Sequence, residues 1–158
     1  VTLLIRRATP ADVPAMSVVL TASITELCAA DHGGEAGAIA AWTRNKTEAG
    51  VAAMLANPDL EIYVAEREGA IVAVGAVTTE GKVGLNYVAP QARFSGISTA
   101  LLARLELALV ALGHREGRLE STSTARAFYE SRGWQVDGPQ ASGRVVNGYP
   151  MRKMLGGT

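Results

Sequence analysis

The sequence predicts an α/β chain whose strands pair mostly with their chain neighbours, and three observations carry that reading. Apolar residues recur at helical spacing in two long segments, Val13 to Leu27 and Ser98 to Leu112. Between them the period changes to two, in LEIYVAERE and AIVAVGAVTTE. A further strand-like run, KVGLNYVAP, precedes the second long helix and another, GRLEST, follows it. That last order places one βαβ unit inside an otherwise antiparallel arrangement.

Taken in order, Val1 to Arg7 alternates as a strand. Thr9 as N-cap, Pro10 at the first helical position and Asp12 at the third are helix-start signals. Val13, Met16, Leu20, Ile24 and Leu27 give that helix its apolar stripe, and Pro14 lies in the first turns, where a missing donor is tolerated. AADHGGEAG ends the helix on a glycine pair, and two shorter helical runs follow, Ala38 to Thr43 and Lys46 to Leu55. The two period-two strands meet as a hairpin near Glu68 and Gly69, and the third strand follows a turn at Gly81. The helix from Ser98 to Leu112 carries Leu101, Leu105, Ala108 and Leu112 on one stripe and stops at Gly113. GRLEST is then a strand, STARAFYESRGW a helix ended by Gly133, and GWQVDG and GYPMRKML closing strands. No repeat, low-complexity tract or linker-like shift in composition divides the chain, so residues 1–158 are expected to form one domain.

Composition narrows the function classes. With 48% hydrophobic residues the chain can fill one core, and a formal net charge of +0 gives no footprint for nucleic acid or an anionic membrane surface. Cys28 is the single cysteine, and with only His32 and His114 beside it the chain lacks the ligand clusters of a structural metal site. No metal and a reducing, cytoplasmic setting are expected. VTLLIRRATP lacks the basic start and unbroken apolar core of a signal peptide, and Arg104 and Glu106 interrupt the longest apolar helix, so a soluble protein without a targeting segment is expected.

The stretch VAPQARFSGISTALL turns at Pro90 and runs through Arg93, Phe94, Ser95, Gly96, Ile97 and Ser98 into a helix whose first N–H groups have no intrahelical partner. Such a terminus offers donors and a positive dipole end to an anion. Gly96 permits close backbone approach, Ser98 is small, and Arg93 adds a charge that suits phosphate. On spacing alone, an ordinary strand-to-helix connection explains these residues equally well.

Arg93, Gly96 and Ser98 resemble the Arg/Gln-x-x-Gly-x-Gly/Ala pyrophosphate loop of the GNAT superfamily of N-acetyltransferases. NYVAP, just before, is similar to the strand end that carries pantetheine contacts in that family. Ala125, Phe128, Tyr129, Gly133 and Trp134 match the family's Asn/Ser-x-x-Ala-x-x-Phe-Tyr-x-x-x-Gly-Phe segment. Ser98 stands where Gly or Ala is usual, and Thr122 where Asn is common. The resemblance extends from about Ile5 to Leu155.

The resemblance implies a GNAT-like fold: a mostly antiparallel mixed sheet of about six to seven strands, flanked by helices and splayed between the fourth and fifth strands. It implies transfer of an acetyl group from acetyl-coenzyme A to a primary amine by direct attack in a ternary complex. Cofactor contacts would fall on Tyr87, Val88, Arg93, Phe94, Ser95, Gly96, Ile97, Ser98, Thr99, Thr122 and Phe128. A backbone N–H near Val88 would polarise the thioester carbonyl, and Tyr129 would be the general acid that protonates the departing sulfur. A phenol, with a reference pKa of about 10, still carries its proton at neutral pH. The acceptor would be a small-molecule or peptide amine meeting Asp31, His32 and Asn86, and homodimers are common among such proteins.

An alkylamine has a pKa of about 10.4, so a base or water path must help it lose its proton near neutrality. Asn86 stands where some relatives carry a carboxylate, and it cannot accept a proton at useful pH. Glu120 and His32 are the candidate bases, each of which also reads as an ordinary strand carboxylate or loop residue. Trp42, Arg44, Lys46, Asp31 and Glu35 crowd the segment that would shape the acceptor pocket, and their mixed signs select no acceptor. Cys28 reads as a buried helix residue rather than a nucleophile.

Two other classes compete. GISTA is close to the Gly-x-Ser-x-Gly elbow, which would make Ser98 the nucleophile of a hydrolase. Against it, several residues separate Val88 from Ser98, and Glu106, on the same helix as the serine, is the one acid before His114. A non-catalytic coenzyme A-binding or sensor domain would keep the loop but would not need Tyr129.

Overall fold

In the computed structural model, residues 3–93, 95–143 and 147–156 are described. Phe94, expected among the cofactor contacts, lies outside them.

Strand β1 (Leu3–Arg7) leads into a 3₁₀ turn, Pro10–Asp12, and then helix α1 (Val13–Leu27). The sequence predicts one helix from Pro10, but the first turn is tighter. The Asp12 carboxylate accepts the Thr9 N–H (2.8 Å) and both terminal nitrogens of Arg6 (2.8 and 2.9 Å), which ties the turn to β1. Three short helices follow: α2 (Ala29–His32), α3 (Ala36–Thr43) and α4 (Glu48–Ala56). The last was expected from Lys46. Instead, Thr47 caps it by accepting the Gly50 N–H (3.1 Å), and Lys46 is buried before the helix with its ammonium donating to Asn45 (2.7 Å).

Strands β2 (Leu60–Arg67), β3 (Ala70–Thr78) and β4 (Val83–Val88) then run antiparallel, and β1 pairs with β2 to give the order β1-β2-β3-β4. A second 3₁₀ turn, Pro90–Ala92, precedes helix α5 (Ile97–Ala111). Strand β5 (Glu116–Ser121), helix α6 (Arg126–Ser131), strand β6 (Gln135–Val136) and strand β7 (Tyr149–Met154) complete the described elements, with order β5-β7-β6 in a second antiparallel sheet.

Helices α1 and α5 both pack on β3, whose residues from Val72 to Val77 are all buried, so both faces of that strand are covered. Leu101, Leu105 and Leu109 of α5, and Met16, Leu20 and Ile24 of α1, supply fully buried side chains. Gly75 lets α5 lie close: a Cβ there would come within 2.9 Å of Leu105 Cδ1 and 3.2 Å of both Leu101 methyl groups. The two sheets touch through one isolated parallel bridge, Lys82 with Arg118, in which the Arg118 N–H donates to the Gly81 carbonyl at 3.0 Å. This is the expected splay between fourth and fifth strands.

The Arg6–Asp12 pair makes stability depend on pH in a known sense. Arg6 donation holds the Asp12 carboxyl down at about 2, against an ordinary 3.8. A depressed folded-state value stabilises above the ordinary value and is lost as pH falls through about 2. Asp12→Asn should therefore lower stability near neutrality by on the order of 2 kcal/mol. In urea unfolding at a series of pH values, the gap from the parent should narrow below about pH 4 and close near pH 2; a gap that persists to pH 2 would assign the loss to packing.

Candidate functional site

Among the described residues, the facing edges of β4 and β5 have no strand partner beyond Lys82 and Arg118, and residues of both strands border a cleft of about 410 Å³. Its walls come from β4, the start of α5, the end of β5 and the first turn of α6, with Ser23, Leu27 and Cys28 of the α1 end closing one side. The Ala89 N–H donates to Val72 of β3 at 2.8 Å, so strand alternation turns the Val88 N–H the other way, toward the missing neighbour.

One end of the cleft is built for negative charge. Arg93, Ser95, Gly96, Ile97, Ser98 and Thr99 all line it. The Ser95 hydroxyl donates back to the Ala92 carbonyl, and Gly96 enters the helix at φ +79°. A Cβ at Gly96 would meet nothing within 4 Å, so the backbone conformation, not crowding, requires glycine there. The first bond of the helix is Ala100 N–H to Gly96 carbonyl (3.1 Å), which leaves the N–H groups of Ile97, Ser98 and Thr99 without intrahelical acceptors. Ile97 is 2% exposed and anchors this turn in the core. Donors, dipole and guanidinium converge on one end of the cleft and fit a phosphate-bearing molecule.

The cleft is also lined by Tyr129, which is buried. Its ring packs edge-on against Phe128 (5.4 Å) and Trp134 (6.1 Å). Trp134 in turn donates to Glu106 (3.2 Å), which also holds Lys153 (2.9 Å), so the corner after α6 is fastened to α5. The Tyr129 oxygen accepts the Asn86 amide N–H at 3.1 Å. Burial pushes the phenol up to about 12 while the Asn86 donation opposes it, so Tyr129 is protonated at neutral pH. Tyr87 borders the same cleft, and its ring packs with Ile24, Cys28 and Trp42. Burial raises its hydroxyl too, opposed by a hydrogen bond with Trp42. Cys28, 5% exposed, is pushed up to about 12 by burial and remains a thiol.

Two sequence expectations are corrected here. His32 cannot serve as a base or acceptor contact: it is 7% exposed, its Nε2 donates to the Ile24 carbonyl (2.8 Å) and its Nδ1 accepts the Gly34 N–H (2.9 Å). Both positions of the neutral imidazole are therefore occupied, and its ring rests edge-on against Trp42. Asp31 does not border the cleft either. Its carboxylate accepts the Ser123 N–H (2.6 Å), the Thr124 N–H (3.2 Å) and the Thr124 hydroxyl (2.7 Å), fastening the α2 corner to the segment between β5 and α6. Asn86, expected to meet the acceptor, borders the cleft with its amide on Tyr129.

The remaining expected residues, Thr122, Phe128 and Glu120, line the cleft. Glu120 is exposed and also borders an adjoining cavity of about 360 Å³ with Trp42, Lys82 and Tyr87. Val83, Gly84, Tyr87, Leu119, Glu120 and Thr122 line both spaces, so the gap between β4 and β5 joins them. Ser98 and His114 are not brought together: Ser98 is in the first turn of α5, His114 lies past its last turn with Nε2 on the Thr79 carbonyl (2.9 Å), and the rest of the helix, about 20 Å, separates them. Among the described residues no group of three or more His, Cys, Asp or Glu is placed to hold a metal ion, and no helix is long and apolar enough to cross a membrane.

Sequence reasoning passed over Ser23, which is 2% exposed and borders the cleft. The available signal was a small polar residue three and four positions after Leu20 and Val19, on the buried stripe of α1. Leu119, also in the walls, gave no signal beyond an ordinary core position, whereas Ala125 was marked by the motif it shares with Tyr129.

A sequence profile described as an acetyltransferase (GNAT) domain matches residues 28–155. No curated protein sequence matches the chain. Among solved structures, a GCN5-related N-acetyltransferase from Rhodopseudomonas palustris superposes with a TM-score of 0.86 at 23% identity, covering 98% of this chain and 97% of that one. The PaiA N-acetyltransferase from Thermoplasma acidophilum, in complex with coenzyme A, gives 0.82 at 18% identity over 98% and 100%. A GNAT superfamily phosphinothricin acetyltransferase from Sinorhizobium meliloti, in complex with acetyl-coenzyme A, gives 0.73 at 24% identity over 99% and 90%.

The Asp31 fastening is open to a direct check. Asp31→Ala should speed hydrogen exchange at the Ser123 and Thr124 amides and lower stability by about 1.5–3 kcal/mol, the usual range for hydrogen bonds to a charged group. Unchanged exchange at those two amides would mean that the segment is held by other contacts.

Proposed function

The chain belongs to the GNAT acetyltransferase family and is an acyltransferase with acetyl-coenzyme A as co-substrate; we propose that it acetylates the primary amine of a small molecule or peptide by direct attack, with both substrates bound together. The observation that carries the reading is one cleft lined by an open helix terminus with Arg93, by the buried Tyr129 and by the edge of β4 that β5 leaves open.

Each residue then has a role that follows from its chemistry. Arg93 and the N–H groups of Ile97, Ser98 and Thr99 hold the pyrophosphate. The open edge of β4 at Tyr87 and Val88 takes the amide-bearing arm as a sheet edge takes a strand, with Thr122 and Phe128 opposite. The Val88 N–H polarises the thioester oxygen, where charge develops as the amine attacks.

Tyr129 supplies the proton that the sulfur needs when the C–S bond breaks. A thiol resembling cysteine has a solution pKa of about 8.5, so transfer from a phenol near 12 to a solvated thiolate would be uphill by roughly 5 kcal/mol. The thiolate forms inside the same dry cleft, however, and burial raises its basicity as it raises that of Tyr129. Glu120 is the one carboxylate lining the cleft among the described residues, and it takes the amine proton through water at the exposed side. We read the chain as one domain working in the cytoplasm, consistent with a single buried cysteine.

Calorimetric titration with acetyl-coenzyme A, with dephospho and desulfo forms as controls, followed by thiol release over a panel of primary amines, tests the reading. Saturable one-site binding that needs the pyrophosphate, and thiol release with at least one amine, are expected; no binding at high micromolar ligand would overturn it.

Two variants test the roles. Tyr129→Phe should lower kcat by about 100-fold or more with acetyl-coenzyme A affinity unchanged. Glu120→Gln should lower kcat/KM by roughly 100-fold at pH 7, a loss that shrinks as pH approaches the pKa of the amine and free base becomes abundant. A constant loss across pH would remove Glu120 from the proton path.

A further inference from the structure

We propose that Asn86 is a positioning residue that aims the Tyr129 proton into the cleft, by donating its own amide N–H to the phenol oxygen and so forbidding the phenol to spend its proton on the strand. The proposal rests on the reading of Tyr129 as the acid and adds a residue to it.

The direction of the bond decides the matter. An amide nitrogen only donates, so the 3.1 Å contact from Asn86 Nδ2 makes the Tyr129 oxygen the acceptor. A phenol oxygen has its proton and its best acceptor direction on opposite sides, in the plane of the ring. With one side held by Asn86, the O–H points to the other. Phe128 and Trp134 pack against the ring, Tyr129 is 6% exposed, and the open space it borders is the cleft. Asn86 is itself fixed from behind, since β4 pairs with β3 at Gly75.

A carboxylate at this position would do the opposite. It would accept the phenol proton and raise the phenol further, removing the acid from the cleft. The other ionisable side chains bordering the same space are Cys28, Tyr87, Arg93 and Glu120.

In the proposed step the C–S bond breaks as the amine nitrogen forms its C–N bond. The electron pair left on sulfur takes the Tyr129 proton, the Asn86 N–H steadies the phenolate, and the proton shed by the nitrogen restores the phenol through solvent. Asn86 thus acts through Tyr129 and not on the acetyl group.

The test uses the whole chain with tyrosine labelled at ¹³Cζ, in parent, Asn86→Leu, Asn86→Asp, Tyr129→Phe and the Asn86→Leu/Tyr129→Phe double variant. The resonance that disappears in Tyr129→Phe identifies Tyr129. At neutral pH that resonance should move in both Asn86 variants while those of Tyr63 and Tyr149 stay. Steady-state kinetics should show kcat reduced at least tenfold in Asn86→Leu and at least as much in the nearly isosteric Asn86→Asp, with KM for acetyl-coenzyme A within twofold. In the Tyr129→Phe background, Asn86→Leu should cost nothing more, because the residue it positions is gone.

An unmoved Tyr129 resonance, or losses that multiply in the double variant, would overturn the proposal. A loss confined to KM would make Asn86 a binding residue and overturn it as well. Full kcat in Tyr129→Phe, with the resonance shift intact, would overturn the acid role of Tyr129 itself and leave the hydrogen bond as structure alone.

Discussion

Backbone groups in a sheet need partners, and beyond one bridge β4 and β5 do not supply them to each other. After the bridge between Lys82 and Arg118, β4 continues on β3 and β5 continues on β7, while their facing edges separate. An open edge inside a protein is normally covered, because a buried N–H or carbonyl without a partner is costly. Here the edge borders a cleft, where a bound molecule or water can satisfy it. The rest of the arrangement serves that opening. Gly75 lets α5 press close to β3, which sets where its amino terminus emerges, and the Glu106 contacts to Trp134 and Lys153 fasten the Tyr129 corner to the same helix. The open helix terminus and the Tyr129 corner are thereby both tied to one rigid element.

The electrostatics of the cleft follow from the same burial. Cys28, Tyr87 and Tyr129 are all weak acids, and loss of water raises each of them, so none carries charge at neutral pH. Among the described residues, the charged side chains on the walls of the cleft are Arg93 and Glu120, both exposed. A neutral interior suits a reaction between a neutral amine and a neutral thioester. Cations meet no buried counter-ion there, so an ammonium gains by leaving its proton at the rim before it advances.

Much of this was legible in the sequence, for reasons that differ by element. Helical periodicity marked α1 and α5, and the change to period two marked the β2–β3 hairpin, because their burial patterns are set by local repeats. Gly96 was legible because its backbone conformation is one that few residues adopt. The splay was not visible in any spacing; it came from the resemblance of two motifs, and the structure bears it out in one bridge. Asp31 and His32 were misread because their partners are set by tertiary geometry. Asp31 binds groups more than ninety positions away, and His32 is consumed by the carbonyl of α1 and its own turn. The start of α1 was misplaced because Asp12, a good helix-start residue, is also held by Arg6 of a strand.

The identity of residue 86 bears on how acid and base are kept apart. A carboxylate there would stand at hydrogen-bond distance from Tyr129 and would accept the phenol O–H, holding it on the strand and away from the cleft. An amide donor keeps the Tyr129 wall purely acidic. In the proposed mechanism the accepting group is Glu120 on the opposite strand, which is exposed and lines the cleft. In that mechanism the gap between β4 and β5 serves twice, admitting the substrates and lying between the acid on α6 and the base on β5.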